Sequence, residues 1–70
     1  MLLLAKSGGT FIFDDGDNWF ILNKDKVPAS ENRIPKKDNP AYPLAACLKW
    51  GFTPVDVEYL NKLSAELKKK

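Results

Sequence analysis

The chain has no histidine, a single cysteine and no glycine-rich phosphate-binding fingerprint. Without histidine, the commonest general base near neutral pH is missing. One thiol permits neither an intrachain disulfide nor a cysteine-ligated metal site. Because a reactive thiol needs a nearby base, we expect Cys47 to be a small hydrophobic residue on a helix. We therefore predict a protein that is not an enzyme, with no catalytic residue, no cofactor and no metal.

Long apolar runs and a strong charge of one sign are also missing. No stretch approaches the roughly 20 apolar residues of a membrane span, and the apolar opening Met1–Ala5 is too short for a signal peptide. Together with the lone cysteine, this favours a cytoplasmic protein without a membrane partner. Eleven basic and nine acidic residues give a net charge of +2, which does not by itself indicate nucleic acid.

Large apolar side chains, in contrast, are plentiful. Apolar residues make up 44% of the 70 residues and include four phenylalanines, two tryptophans and two tyrosines. This composition is too rich for a disordered segment, and the length suits one small domain near the lower limit for a core without disulfides. We predict a single folded domain over residues 1–70.

The first third of the chain, residues 1–23, predicts a β-meander. Leu2–Leu4, Thr10–Phe13 and Trp19–Leu22 are short aliphatic or aromatic runs separated by glycine-containing turns. Asp and Gly between the second and third runs are typical of a tight hairpin, because both tolerate the positive φ that such turns need. A three-stranded antiparallel sheet is the simplest assembly.

Residues 24–39 are mostly polar, contain two prolines and predict a long loop. Residues 40–70 predict two helices, the first ending before Gly51 and the second capped by Thr53, with Pro54 at its first position. An apolar stripe follows at Val57, Leu60, Leu63 and Leu67. The expected fold class is α+β: a small three-stranded antiparallel sheet followed by a helical hairpin packed on one face.

Four acidic or amide residues crowd the hairpin turn, namely Asp14, Asp15, Asp17 and Asn18. Clustered carboxylates hold calcium in some proteins, but the spacing here does not match an EF-hand, whose twelfth position is a glutamate. Turn chemistry explains these residues, and we predict a solvated hairpin tip.

The most informative pattern is that both alternating faces of the predicted strands are apolar. Two short helices cover one face, so the other must be covered by the loop, by a second copy or by a different protein. We predict a small accessory or inhibitor-like protein that docks on a larger protein through the apolar sheet face, the sheet edge or the 24–39 loop. The candidate protein-binding residues are Ile12, Trp19, Ile21, Val27 and Ile34.

A nucleic-acid-associated protein is the alternative function. Five basic residues lie in the predicted loop, and lysines also occupy positions 68–70 at the C-terminus. If the two segments lie together, they form a surface for phosphate contacts. The candidate residues are Lys24, Lys26, Arg33, Lys36 and Lys37.

Overall fold

Over residues 1–69, the computed structural model shows five strands and two helices. The strands are β1 (Leu2–Ser7), β2 (Thr10–Asp14), β3 (Asn18–Asn23), β4 (Ser30–Pro35) and β5 (Thr53–Pro54), and the helices are α1 (Tyr42–Lys49) and α2 (Val57–Lys68). The strands form one sheet in the order β4-β3-β2-β1-β5, and every neighbouring pair is antiparallel. The α+β class and the antiparallel sheet are confirmed. Within residues 1–69, neither helix is both long and apolar enough to cross a membrane.

The expected number of three strands is wrong, because the predicted 24–39 loop contains β4. This strand reads Ser-Glu-Asn-Arg-Ile-Pro and pairs with the whole of β3. It lies at the sheet edge, where only Ile34 is needed for the core and charged side chains stay in water. Charges and a terminal proline are typical of edge strands because they discourage pairing with further chains. The same residues make the segment look like a loop in the sequence.

The start of the second helix also differs from expectation. Thr53 and Pro54 form β5, which pairs with Ala5 and Lys6 on β1. Helix α2 begins later, and Asp56 is its N-cap, accepting a hydrogen bond from the Tyr59 backbone N–H at 2.9 Å. The two helices are thus separated by a strand rather than by a simple turn. The predicted end of α1 is confirmed, since Gly51 follows the helix with a φ of +69°.

The tight β2–β3 hairpin is confirmed as well. Gly16 has a φ of +93°, and its backbone N–H donates to Asp14 Oδ1 at 2.9 Å. Ile12 lies opposite Ile21, and Phe13 lies opposite Phe20. This register assigns the two pairs to opposite faces of the sheet.

We call the side on which the helices pack the covered face. Both helices contact β1, and the core on this side joins Leu4, Trp19 and Leu60, which are 0%, 2% and 5% exposed. The Trp19 indole Nε1 donates to the Asn39 backbone oxygen at 2.7 Å, so the one polar atom of this buried ring is satisfied. Partly buried residues complete the layer: Ile21, Ile34, Tyr42, Leu44, Cys47, Tyr59 and Leu63.

We predict that Leu60→Ala lowers the free energy of unfolding by about 2 to 5 kcal/mol, because it removes a buried side chain and leaves a cavity beside Trp19. Val57, one turn earlier on α2, is 55% exposed, and Val57→Ala is the matched control with an expected change of about 0.5 kcal/mol or less. Urea denaturation of both variants measures the difference. Equal midpoints for the two variants would contradict this description of the core.

Candidate functional site

The side of the sheet opposite the helices carries a cluster of phenylalanines. We call it the aromatic face, and the strand register assigns to it Leu3, Phe11, Phe13, Phe20 and Leu22. Phe13 lies at the centre, with its ring centroid 6.4 Å from that of Phe11 and 5.9 Å from that of Phe20. The rings are tilted by 36° and 41°, a geometry that aromatic pairs favour over parallel face-to-face stacking. The result is a row of three rings across two strands.

The rings of the aromatic face remain partly open to solvent. Phe11, Phe13 and Leu22 are half-buried, whereas Phe20 is only 6% exposed. Both helices pack on the covered face, and the segment before β4, one of the three candidate covers, stays in water, since all residues from Lys24 to Ala29 are exposed. Among residues 1–69, therefore, the rings are shielded by neighbouring side chains and not by a further layer of structure.

Two cations lie over the ends of this row of rings. Lys24 Nζ is 5.5 Å from the ring centroid of Phe11, and Arg33 Cζ is 4.7 Å from that of Phe20. Lys6 lies directly opposite Phe11 in the β1–β2 register, which assigns it to the same face. At an exposed site, each cation–π contact contributes only about 0.5 to 1 kcal/mol. The cations are therefore held loosely enough to be displaced by a ligand.

The position of Lys24 depends on contacts between two turns. Its backbone N–H donates to the Gly9 oxygen at 2.8 Å, and the neighbouring Asp25 Oδ2 accepts from the Gly9 N–H at 3.1 Å. A Cβ at residue 9 would overlap the Asp25 carboxylate, so this carboxylate can bond to the backbone here because residue 9 is glycine. The β1–β2 turn and the end of β3 are thereby fixed to each other, which places the base of the Lys24 side chain beside Phe11.

Two carboxylates offset part of this positive charge. Glu31 lies opposite Leu22 on the aromatic face, and Asp15 Oδ2 is 3.4 Å from Arg33 Nε. Within residues 1–69, Lys6 and Lys24 have no carboxylate within ion-pair distance. Both lysines lie at the Phe11 end of the row, and the register places Glu31, opposite Leu22, at the same end.

The residues predicted to bind a protein lie mostly inside the molecule. Ile12 and Trp19 are buried, and Ile21 and Ile34 pack against the core. Val27, in contrast, is 97% exposed and contributes nothing to the core. The first four lie on the covered face, where Ile12 and Trp19 are inaccessible and Ile21 and Ile34 are partly buried. The alternate positions on the same strands face the opposite side of the sheet.

The basic residues proposed for nucleic acid are divided between two faces. Lys24 and Arg33 lie on the aromatic face, whereas Lys36 lies over the Trp19 ring, 4.7 Å from its centroid. Lys26 and Lys37 are exposed to solvent. Of the C-terminal lysines, position 70 lies outside the described residues. The sequence pattern missed Lys6 and the phenylalanines as site residues, because Lys6 meets Phe11 only through the β1–β2 register.

A cluster of polar side chains lies at the end of β2 around Asp14. Its carboxylate accepts from Lys36 Nζ, from the Tyr59 hydroxyl at 2.8 Å and from the Gly16 N–H. The cluster connects the hairpin turn, the segment after β4 and helix α2. Because all three donors point at one carboxylate, its evident role is to hold these elements together.

The pKa values of this cluster favour a structural role over an acid–base role. Burial tends to raise the pKa of Asp14, but hydrogen bonds from Lys36, Gly16 and Tyr59 outweigh it and lower the pKa. Burial and the bond to Asp14 raise the pKa of the Tyr59 hydroxyl, which stays a proton donor. Burial also raises the pKa of the Cys47 thiol, which disfavours the reactive thiolate.

We predict that Asp14 makes stability depend on pH in the acid range. A lowered pKa means that its contribution is fully present above the ordinary carboxyl value of about 3.9 and is lost as pH falls through the lowered value. Asp14→Asn should flatten the decline in unfolding free energy below about pH 4. Asp17→Asn, at the exposed tip of the same turn, is the control and should keep the wild-type decline. Urea midpoints measured at several pH values test this, and superimposable profiles for wild type and Asp14→Asn would contradict it.

An apolar groove lies between α1 and α2, away from the aromatic face. Its lining includes Leu48, which is 87% exposed, and Pro54 and Val57. Cys47 also lines the groove, and its protonated thiol adds apolar surface. The groove is an accessible apolar surface separate from the aromatic face.

Comparison with known proteins adds no relative: no family model, curated protein or solved structure matches this chain. Within residues 1–69, no group of three or more histidine, cysteine, aspartate or glutamate side chains is arranged to hold a metal ion.

Proposed function

We propose that this protein functions by binding and that the aromatic face is its binding surface. The observation that carries the proposal is the row of three phenylalanine rings on the uncovered side of the sheet, with cations above both ends. Charges near apolar surface confer specificity and speed of encounter, whereas the rings supply burial. The proposal replaces the predicted residues on the covered face with their neighbours on the opposite face.

Energetics supports a surface adapted for a ligand. Removing a large apolar side chain from water contributes roughly 1.5 to 3 kcal/mol for full burial, and the half-buried rings have realised only part of this. Displacing an exposed cation from a ring costs about 0.5 to 1 kcal/mol. A partner that buries the rings and also pairs with the displaced cations therefore gains binding free energy from both contacts.

The charge distribution favours an anionic partner. Three basic residues, Lys6, Lys24 and Arg33, outnumber the two carboxylates Glu31 and Asp15 by one. Strand addition at β4 is a weaker mode of binding, because Glu31 and Arg33 on an edge strand discourage a further strand. A cytoplasmic location, where nucleic acids and acidic proteins both occur, remains part of this proposal.

Docking of a protein in the groove between α1 and α2 is the second candidate function. Leu48 supports this second function. It lies on α1 beside the groove and is 87% exposed, which is typical of an apolar side chain that anchors a partner. This preserves the predicted protein partner but assigns it to the helical side of the molecule.

We predict that a photo-crosslinking amino acid at position 22 forms an adduct in cells of the source organism, because Leu22 is partly exposed on the aromatic face. The same group at position 62 is the control, since Lys62 is exposed on α2. A third variant, at position 48, tests the groove. Electrophoresis before and after nuclease or protease treatment detects each adduct and its class.

The three positions separate the two candidate functions. An adduct at position 22 that is absent at position 62 supports the aromatic face. An adduct at position 48 alone would assign binding to the helical groove and overturn the proposal. Equal labelling at all three positions, or none, would also overturn it.

A further inference from the structure

We infer that the ligand of the aromatic face is single-stranded nucleic acid, bound by stacking of its bases on the phenylalanine rings. The inference rests on the proposed function, since it identifies the partner of that same surface. It follows from three features of the face: the spacing of the rings, the placement of the cations, and the small number of groups able to read base edges.

The ring spacing fits bases that have separated from one another. Stacked bases in a duplex follow at about 3.4 Å along each strand, whereas the ring centroids are 6.4 Å and 5.9 Å apart. Successive bases can each use one ring only if the strand is extended and its bases turn outward, and the Phe20 ring, 6% exposed, becomes available only when Arg33 moves off it. A duplex keeps its bases inside the stack, so a row of separate rings favours a single strand.

The cations lie where a backbone that follows this row needs them. Lys24 and Lys6 belong to the Phe11 end, and Arg33 belongs to the Phe20 end. When a base takes the place of a cation above a ring, the long side chain can turn toward the adjacent phosphate. Arg33 has the required freedom, because its side chain is 55% exposed. An acidic peptide would use the same charges but would leave the planar faces of the rings without a planar partner.

The face has few groups that could distinguish one base from another. Glu31 is its one carboxylate on the strands, and the apolar positions offer no hydrogen bonds. Stacking is tolerant of sequence because every base has a π face. We therefore expect binding that depends on strandedness and salt more than on sequence.

The test is a fluorescence-anisotropy titration of the full chain with short labelled strands, about ten nucleotides long. The probes are oligouridine RNA, oligothymidine DNA, a duplex of the same length and a polyglutamate peptide. We expect binding to the single strands. Comparison of oligouridine with oligothymidine shows whether the ligand is RNA, DNA or both. The duplex and the peptide should bind at least about tenfold more weakly, because neither places unstacked bases on the rings.

Two variants separate stacking from charge. Phe13→Leu keeps apolar bulk at the centre of the row but removes the aromatic ring, and it should weaken binding by roughly 5- to 100-fold. Lys24→Gln should also weaken binding and should reduce the salt dependence. With three phosphate contacts, the slope of log K against log salt should be about −2 in wild type, and each lost contact should reduce it by about 0.7. Lys62→Gln on α2 makes the same charge change and should leave affinity and slope unchanged.

Several results would overturn the inference. These are equal affinity for duplex and single strand, unchanged affinity in Phe13→Leu with its fold verified by circular dichroism, and equal effects of Lys24→Gln and Lys62→Gln. No binding to either strand at low salt would overturn it too. If crosslinking at position 22 nevertheless captures a protein, the aromatic face remains a binding surface and only its assignment to nucleic acid fails.

Discussion

The position of Trp19 determines which side of the sheet becomes the core. It is the largest fully buried side chain, and its indole nitrogen needs a buried acceptor, which the Asn39 oxygen provides. This bond draws the segment before α1 over one face, where Leu4 and Leu60 complete the packing. Once Trp19 points to that side, strand alternation turns Phe20 to the other. Helices of eight and twelve residues then pack on the face of Trp19, and the aromatic face is left without a helix.

Local chemistry explains how much of the fold was predictable from the sequence. The β2–β3 hairpin follows from Asp-Gly between aromatic runs, and the end of α1 follows from Gly51. Strand β4 was missed because an edge strand that buries only Ile34 has almost no hydrophobic alternation. Strand β5 has two residues, and its Thr-Pro pair is equally typical of a helix start. Both misses concern the sheet edges, where pairing partners distant in sequence decide the structure.

The candidate site was predictable as a property but not as a set of residues. Alternation showed that both faces are apolar, and it grouped Phe11 with Phe13 against Ile12. It could not decide which group lies under the helices, because that depends on packing between residues far apart in the sequence. The positions of the cations over the rings were equally impossible to predict from the sequence. Arg33 meets Phe20 only through the β3–β4 register, and that strand was not predicted.

The core and the proposed binding surface therefore lie on opposite sides of one sheet. The covered face contains the buried core, and the Asp14 cluster fixes the hairpin turn to α2 from the same side. The aromatic face adds the half-buried rings of Phe11 and Phe13, and the exposed cation–π contacts at this face contribute modestly to folding. Because alternate side chains point in opposite directions, strands β2 and β3 contribute Ile12 and Trp19 to the core on one face and carry the phenylalanines, the proposed binding surface, on the other.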